Sequence, residues 1–63
     1  MDAVPDGFFM TLQWARILGK SKSHVRRMLL DGVKSGKVER KDFCVRVGRI
    51  IRTETHYRIT VLT

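Results

Sequence analysis

Apolar positions along this chain change period once, near Val38, from roughly 3.6 residues to roughly 2. Before that point the pattern is helical. Leu12, Ala15 and Leu18 recur at i, i+3 and i+6, and Trp14 and Ile17 widen the apolar side. Thr11 can cap such a helix through its hydroxyl, and Gly19 can end it. The spacing predicts a helix over Thr11–Leu18. Ser21 is a second N-cap candidate. After it, Val25, Met28, Leu29 and Val33 fall on one face, and Lys22, Ser23, Arg26 and Arg27 on the other. Gly32 costs this second helix up to ~1 kcal/mol relative to Ala. It is expected to thin the last turn or to admit a neighbouring backbone. Gly36 closes the helix. The residues ahead of both helices, 1–10, read as an extended lead-in with a turn at Pro5 and Asp6-Gly7. Phe8, Phe9 and Met10 then dock on the core.

Beyond Val38 the alternation is that of strands. Val38, Arg40 and Asp42 make a weak start. Phe43, Val45 and Val47 then alternate with Cys44, Arg46 and Gly48. Near the end Tyr57, Ile59 and Val61 alternate with His56, Arg58 and Thr60. The expectation is an antiparallel hairpin with one apolar face per strand, joined by Gly48–Thr55, a loop carrying Arg49 and Arg52. A lone hairpin is unstable in water, so its apolar face must cover the helices. Phe43, Val45, Val47, Trp14 and Tyr57 are expected in the core. The fold class is therefore a small α+β domain spanning 1–63: lead-in 1–10, helical pair 11–36, hairpin 37–63.

Charge changes the picture from fold to partner. Thirteen Lys and Arg against six Asp and Glu give +7. Residues 1–31 hold five basic and three acidic side chains, +2; residues 32–63 hold eight and three, +5. Such a surplus attracts a polyanion by releasing its condensed counterions. Nucleic acid leads, ahead of an anionic membrane surface or an acidic protein. The 63 residues suffice for one marginal core, which dimerisation or attachment to a larger chain would support.

Other chemistry finds little material. Cys44 is the one cysteine, so no internal disulfide forms, and with His24 and His56 it falls short of a four-ligand zinc site. A reducing cytoplasmic setting fits, and no cofactor is expected. No apolar run approaches the ~20 residues of a membrane span, and residues 1–10 lack the basic start of a signal peptide. Ser21, Ser23 and His24 are close in sequence, but a serine nucleophile needs a base held by a third group. The acids show no paired-carboxylate spacing, and no glycine-rich phosphate loop is present. The expectation is a protein that is not an enzyme.

The stretch Thr-Leu-Gln-Trp-Ala-Arg-Ile-Leu-Gly-Lys-Ser-Lys-Ser-His-Val-Arg-Arg-Met-Leu-Leu, residues 11–30, resembles a helix-turn-helix. Ala15 stands where the second helix crosses the first, and Gly19 stands at the turn. Trp14, Leu18, Val25 and Met28 fill the apolar points. Lys20 departs from the motif, which often has an apolar residue there. With the basic hairpin that follows, residues 11–61 resemble the winged helix-turn-helix of bacterial regulators such as the GntR and MarR families. Those families usually carry a further helix before the pair, so this would be a reduced form.

The resemblance implies that Lys22, Ser23, His24, Arg26 and Arg27 face the major groove, where Arg can grip guanine with two hydrogen bonds. It implies phosphate contacts from Thr11, Gln13, Lys20 and Ser21 at the helix starts. It places Arg49 and Arg52, on the wing, at the backbone or a narrow minor groove. Most surface Lys and Arg are simply solvated, and His24 can equally pack against the turn. The implied function is sequence-specific binding of double-stranded DNA by a small transcriptional regulator, of phage or mobile-element type, in the cytoplasm at the nucleoid. No heptad is present, so it would bind as a monomer or as a homodimer assembled on DNA. The alternative is an interaction module or small inhibitor that docks its basic face on an acidic protein. RNA binding ranks lower, because the aromatics look internal.

Overall fold

The computed structural model describes residues 3–60. It is a small α+β domain: helix α1, Thr11–Leu18, helix α2, Lys22–Ser35, then strands β1, Val38–Val47, and β2, Ile50–Ile59, paired antiparallel. The expected strand position Val61 lies outside the described residues.

Helix α1 begins where expected, but Thr11 is its first helical residue and not its cap. Met10 holds the cap position, with extended backbone, and its N–H donates to Gln13 Oε1 at 2.9 Å. The side chain three residues on thus satisfies the entry amide. At the other end Gly19 takes left-handed dihedrals, φ 66 and ψ 33. A residue with a Cβ is strained there, and the sharp exit lets the Lys20 amide fold back onto the Ala15 carbonyl at 3.0 Å.

The apolar stripe of α1 is narrower than expected. Trp14 and Ala15 are buried and Leu18 half-buried, whereas Leu12 and Ile17 are about half exposed. At 100° per residue both lie roughly 100° from the centre of the stripe, too far round to touch α2 or the sheet.

Helix α2 is capped by Ser21, whose Oγ accepts from the His24 N–H at 3.2 Å. Val25 and Leu29 are fully buried, with Met28 and Val33 half-buried beside them. Gly32 does not thin the helix, which runs on to Ser35. It admits a side chain instead of a backbone. A Cβ there would overlap Val38 Cγ2 and sit 3.0 Å from Val38 Cβ.

The hairpin is longer than the alternation predicts. Ile50–Thr55 is strand, not loop, and the turn is only Gly48-Arg49. The β-branched residues Ile50, Ile51, Thr53 and Thr55 suit a pleated backbone. They escape a pattern that looks for one buried face, because Ile50–Thr53 is exposed on both sides and the helices reach only as far as Glu54 and Thr55. Arg52 consequently pairs across from Val45 within the sheet.

Register also corrects the expected single apolar face. Val38–Ile59 and Arg40–Tyr57 are cross-strand pairs on the helix side, and strict alternation puts Phe43 on the opposite side. The main core comprises Trp14, Ala15, Val25, Leu29 and Tyr57, flanked by Phe9, Leu18, Val33, Val38 and Ile59. Phe43 belongs to a second, smaller cluster. Its ring meets Phe8 edge-on at 5.3 Å and His56 at 5.2 Å. Val45 is only half-buried and Val47 is exposed, so neither is the core residue expected.

The lead-in joins the two clusters. Phe9 pairs with Tyr57 through hydrogen bonds of 2.9 and 2.8 Å, adding a short rung at the outer edge of β2. Neighbouring side chains of an extended segment point opposite ways. Phe8 accordingly covers the Phe43 side, and Phe9 packs edge-on against Trp14 at 5.1 Å.

Candidate nucleic-acid interface

Helix α2 turns a basic face outward because its apolar residues are used on the core. Lys22, Ser23, His24, Arg26 and Arg27 are all exposed. Ser23, Arg26, Arg27, Leu30, Asp31 and Lys34 line a shallow depression along this face. Leu30, Asp31 and Lys34 join the expected residues on this face. Lys34 extends the positive strip by two turns, and Asp31 places a carboxylate beside it. The positive charge of this face is therefore densest along the first turns of α2.

The helix starts hold the other candidates. Lys20 and Ser21 are exposed between the helices. Thr11 is half-buried, and Gln13, though exposed, spends its carbonyl on the Met10 amide. Ser21 likewise uses its oxygen as the α2 cap but keeps a hydroxyl proton to donate.

The hairpin carries a second basic region. Arg49 lies in the turn, and Arg46 and Arg52 flank it on the strands, all exposed. In the alternation Arg46 is only a polar strand position; its place two residues before the turn is the signal that marks it. Arg52 Nε lies 3.9 Å from Glu54 Oε1, a loose, exposed pair. Among the described residues Lys22, Arg26, Arg27, Arg46 and Arg49 make no ion pair, so their charge is open to a ligand.

Contacts at the two ends of α2 fix how these regions lie. Its last turns pack at Gly32 against Val38, the base of β1. Its first residue, Lys22, shares a groove with Met10, Thr11, Leu12, Glu54 and Thr55, half-way along β2. The hairpin thus runs beside α2 from its end to its start and continues past it. At about 3.3 Å per residue the tip stands roughly 17 Å beyond Thr55. The α2 start and the hairpin tip therefore project from the same end of the molecule.

Other chemistry has less support. His56 is buried, its Nδ1 2.9 Å from the Glu54 carbonyl and its ring against Phe43. Cys44 is half-buried, with Sγ 3.9 Å from Thr53 Oγ1. Among the described residues no three His, Cys, Asp or Glu are grouped to hold a metal ion, and no helix is long and apolar enough to cross a membrane. No family model, curated protein or solved structure matches the chain.

Proposed function

We propose that this protein binds double-stranded DNA as a reduced winged helix-turn-helix, with α2 in the major groove and the hairpin as a wing on the backbone or minor groove. One observation carries the reading: unpaired cations on the start of α2 and at the hairpin tip project from the same end, separated by the length of an exposed ribbon. A major groove about 12 Å wide admits a helix, and the adjacent minor groove meets what extends beyond it. Lys22, Ser23, Arg26 and Arg27 read base edges, with His24 at the rim. Lys20, Ser21 and Thr11 hold phosphates, and Arg49 and Arg52 anchor the wing. Gln13 contributes less, since its carbonyl is engaged. The role is that of a small transcriptional regulator.

Selection from random duplex DNA at about 150 mM salt tests this, followed by titration of the winner against scrambled duplex. The expected result is one enriched short motif bound roughly 10³-fold or more above scrambled DNA. Weak binding that is equal for all sequences and vanishes with salt overturns it. The second reading, docking on an acidic protein, then takes over; the exposed Leu12 and Ile17 on α1 favour it.

A further inference from the structure

The hairpin tip is not merely basic. Val47, Ile50 and Ile51 are 50%, 62% and 59% exposed, which makes the two isoleucines the most open large apolar side chains of the described residues. Val47 and Ile50 form the last cross-strand pair before the turn, on one face; Ile51 lies on the other face, opposite Arg46. Residues 45–52, Val-Arg-Val-Gly-Arg-Ile-Ile-Arg, hold three arginines and no acid. Among the described residues no helix covers 46–52, which are all exposed: the helices end alongside Thr55, and Phe8 packs edge-on against Phe43.

Charge selects the occupant. A second copy seated tip to tip would bring six arginines together without a counter-charge. A polyanion neutralises them. If the arginines hold the phosphates on either side of a groove, the apolar side chains between them meet the base edges. A two-stranded ribbon is wider than the ~6 Å minor groove, so it enters by its narrow turn or forces the groove open. Apolar side chains driven between base pairs unstack them and kink the duplex by roughly 20–90°.

We infer, resting on the DNA-binding reading above, that the hairpin tip is a DNA-bending wedge: one of the two oppositely directed isoleucines, Ile50 or Ile51, parts a base step in the minor groove while Arg46, Arg49 and Arg52 hold the flanking phosphates. The preferred step is a flexible pyrimidine–purine one such as TA, which unstacks most cheaply. The target is recognised partly by deformability at positions that no side chain hydrogen-bonds.

The test places 2-aminopurine singly at successive positions of the selected duplex, or of a TA-rich duplex if selection enriches none, with a dye pair at the ends. The full-length protein raises 2-aminopurine emission several-fold at one or two adjacent positions and brings the ends closer. Ile50→Thr with Ile51→Thr keeps the strand-forming shape and, at these exposed sites, the thermal midpoint. It binds with the parent's salt slope but loses both signals. Arg49→Gln lowers the salt slope by about 1 and keeps the unstacking. Bound duplex with every base stacked, or a double variant that unstacks like the parent, rejects the wedge, leaves the DNA reading standing and assigns the apolar tip to an acidic protein. Failure of the parent to bind any duplex rejects both.

Discussion

The indole N–H of Trp14 donates to the Tyr57 carbonyl at 2.8 Å, and the same carbonyl accepts the Phe9 amide at 2.9 Å. One acceptor on β2 thus ties down both α1 and the lead-in. Trp14→Phe leaves that carbonyl with a partner, so the loss is one hydrogen bond and some ring volume, about 1–2 kcal/mol. Trp14→Ala removes about 3–5 kcal/mol, comparable with the whole stability of a domain this small. Urea titration followed by circular dichroism checks both. An unshifted midpoint for Trp14→Phe means the indole bond contributes nothing.

Gly32→Ala stabilises most exposed helices by up to ~1 kcal/mol. Here it is expected to destabilise by about 1–3 kcal/mol, because the new methyl overlaps Val38. Shortening Val38 to Ala removes the Cγ2 obstruction. The double variant Gly32→Ala, Val38→Ala should therefore lose less than its two singles combined. Additive losses would place the cost of Gly32→Ala elsewhere.

Arg26→Ala and Arg27→Ala should each weaken binding to the selected duplex by about 1–3 kcal/mol while leaving scrambled duplex less affected. Arg49→Ala should act alike on every sequence and lower the salt slope by about 1. Arg52→Ala should do the same more weakly, since Glu54 already stands near its side chain. Titrations at several salt concentrations separate the two behaviours. Unchanged affinity in all four variants sinks the proposed surface.

Arg58 and Glu39 form a 2.7 Å ion pair at side-chain exposures of 41% and 44%. Water screens it, so Glu39→Gln should cost less than about 1 kcal/mol. The Arg58 stem matters more. Its guanidinium stands 4.8 Å from the centre of the Phe8 ring, its methylenes lie where a Cβ at Gly7 would meet them at 3.2 Å, and its Nε is buried without a hydrogen-bond partner among the described residues. Arg58→Met keeps the cover and drops the unpaired N–H. It should melt closer to the parent than Arg58→Ala, which uncovers Phe8. Thermal melts that rank the two the other way would show that charge, not cover, is what Arg58 supplies.

Legibility from sequence followed burial. Both helices could be placed because Trp14, Ala15, Val25 and Leu29 bury one stripe each and Gly19, Ser21 and Gly36 punctuate them. The exposed cations of α2 followed from the same periodicity read on its other side. The hairpin was harder. Ile50–Thr55 alternates no apolar with polar residues, since Ile50–Thr53 is exposed on both sides, and such a stretch carries no strand signal. Phe43 and Tyr57 looked like one face because their spacing within each strand says nothing about register between strands. Only the Gly48-Arg49 turn decides that, and it places them back to back. Likewise the entry of α1 turned on whether Gln13 reaches back to Met10, a choice that a Thr at position 11 does not reveal.

The rung between Phe9 and Tyr57 has a consequence for the order of folding. It joins the first described segment to the last strand, across nearly the whole chain, so its closure waits on everything between. During synthesis α1, α2 and β1 emerge before β2, and until then Phe8 and Phe9 have neither sheet face to rest on. Phe9 therefore lacks its Tyr57 rung, and Phe8 its place over a paired sheet, until β2 is complete. Docking of that strand commits the helical core and the Phe8–Phe43 cluster in a single step.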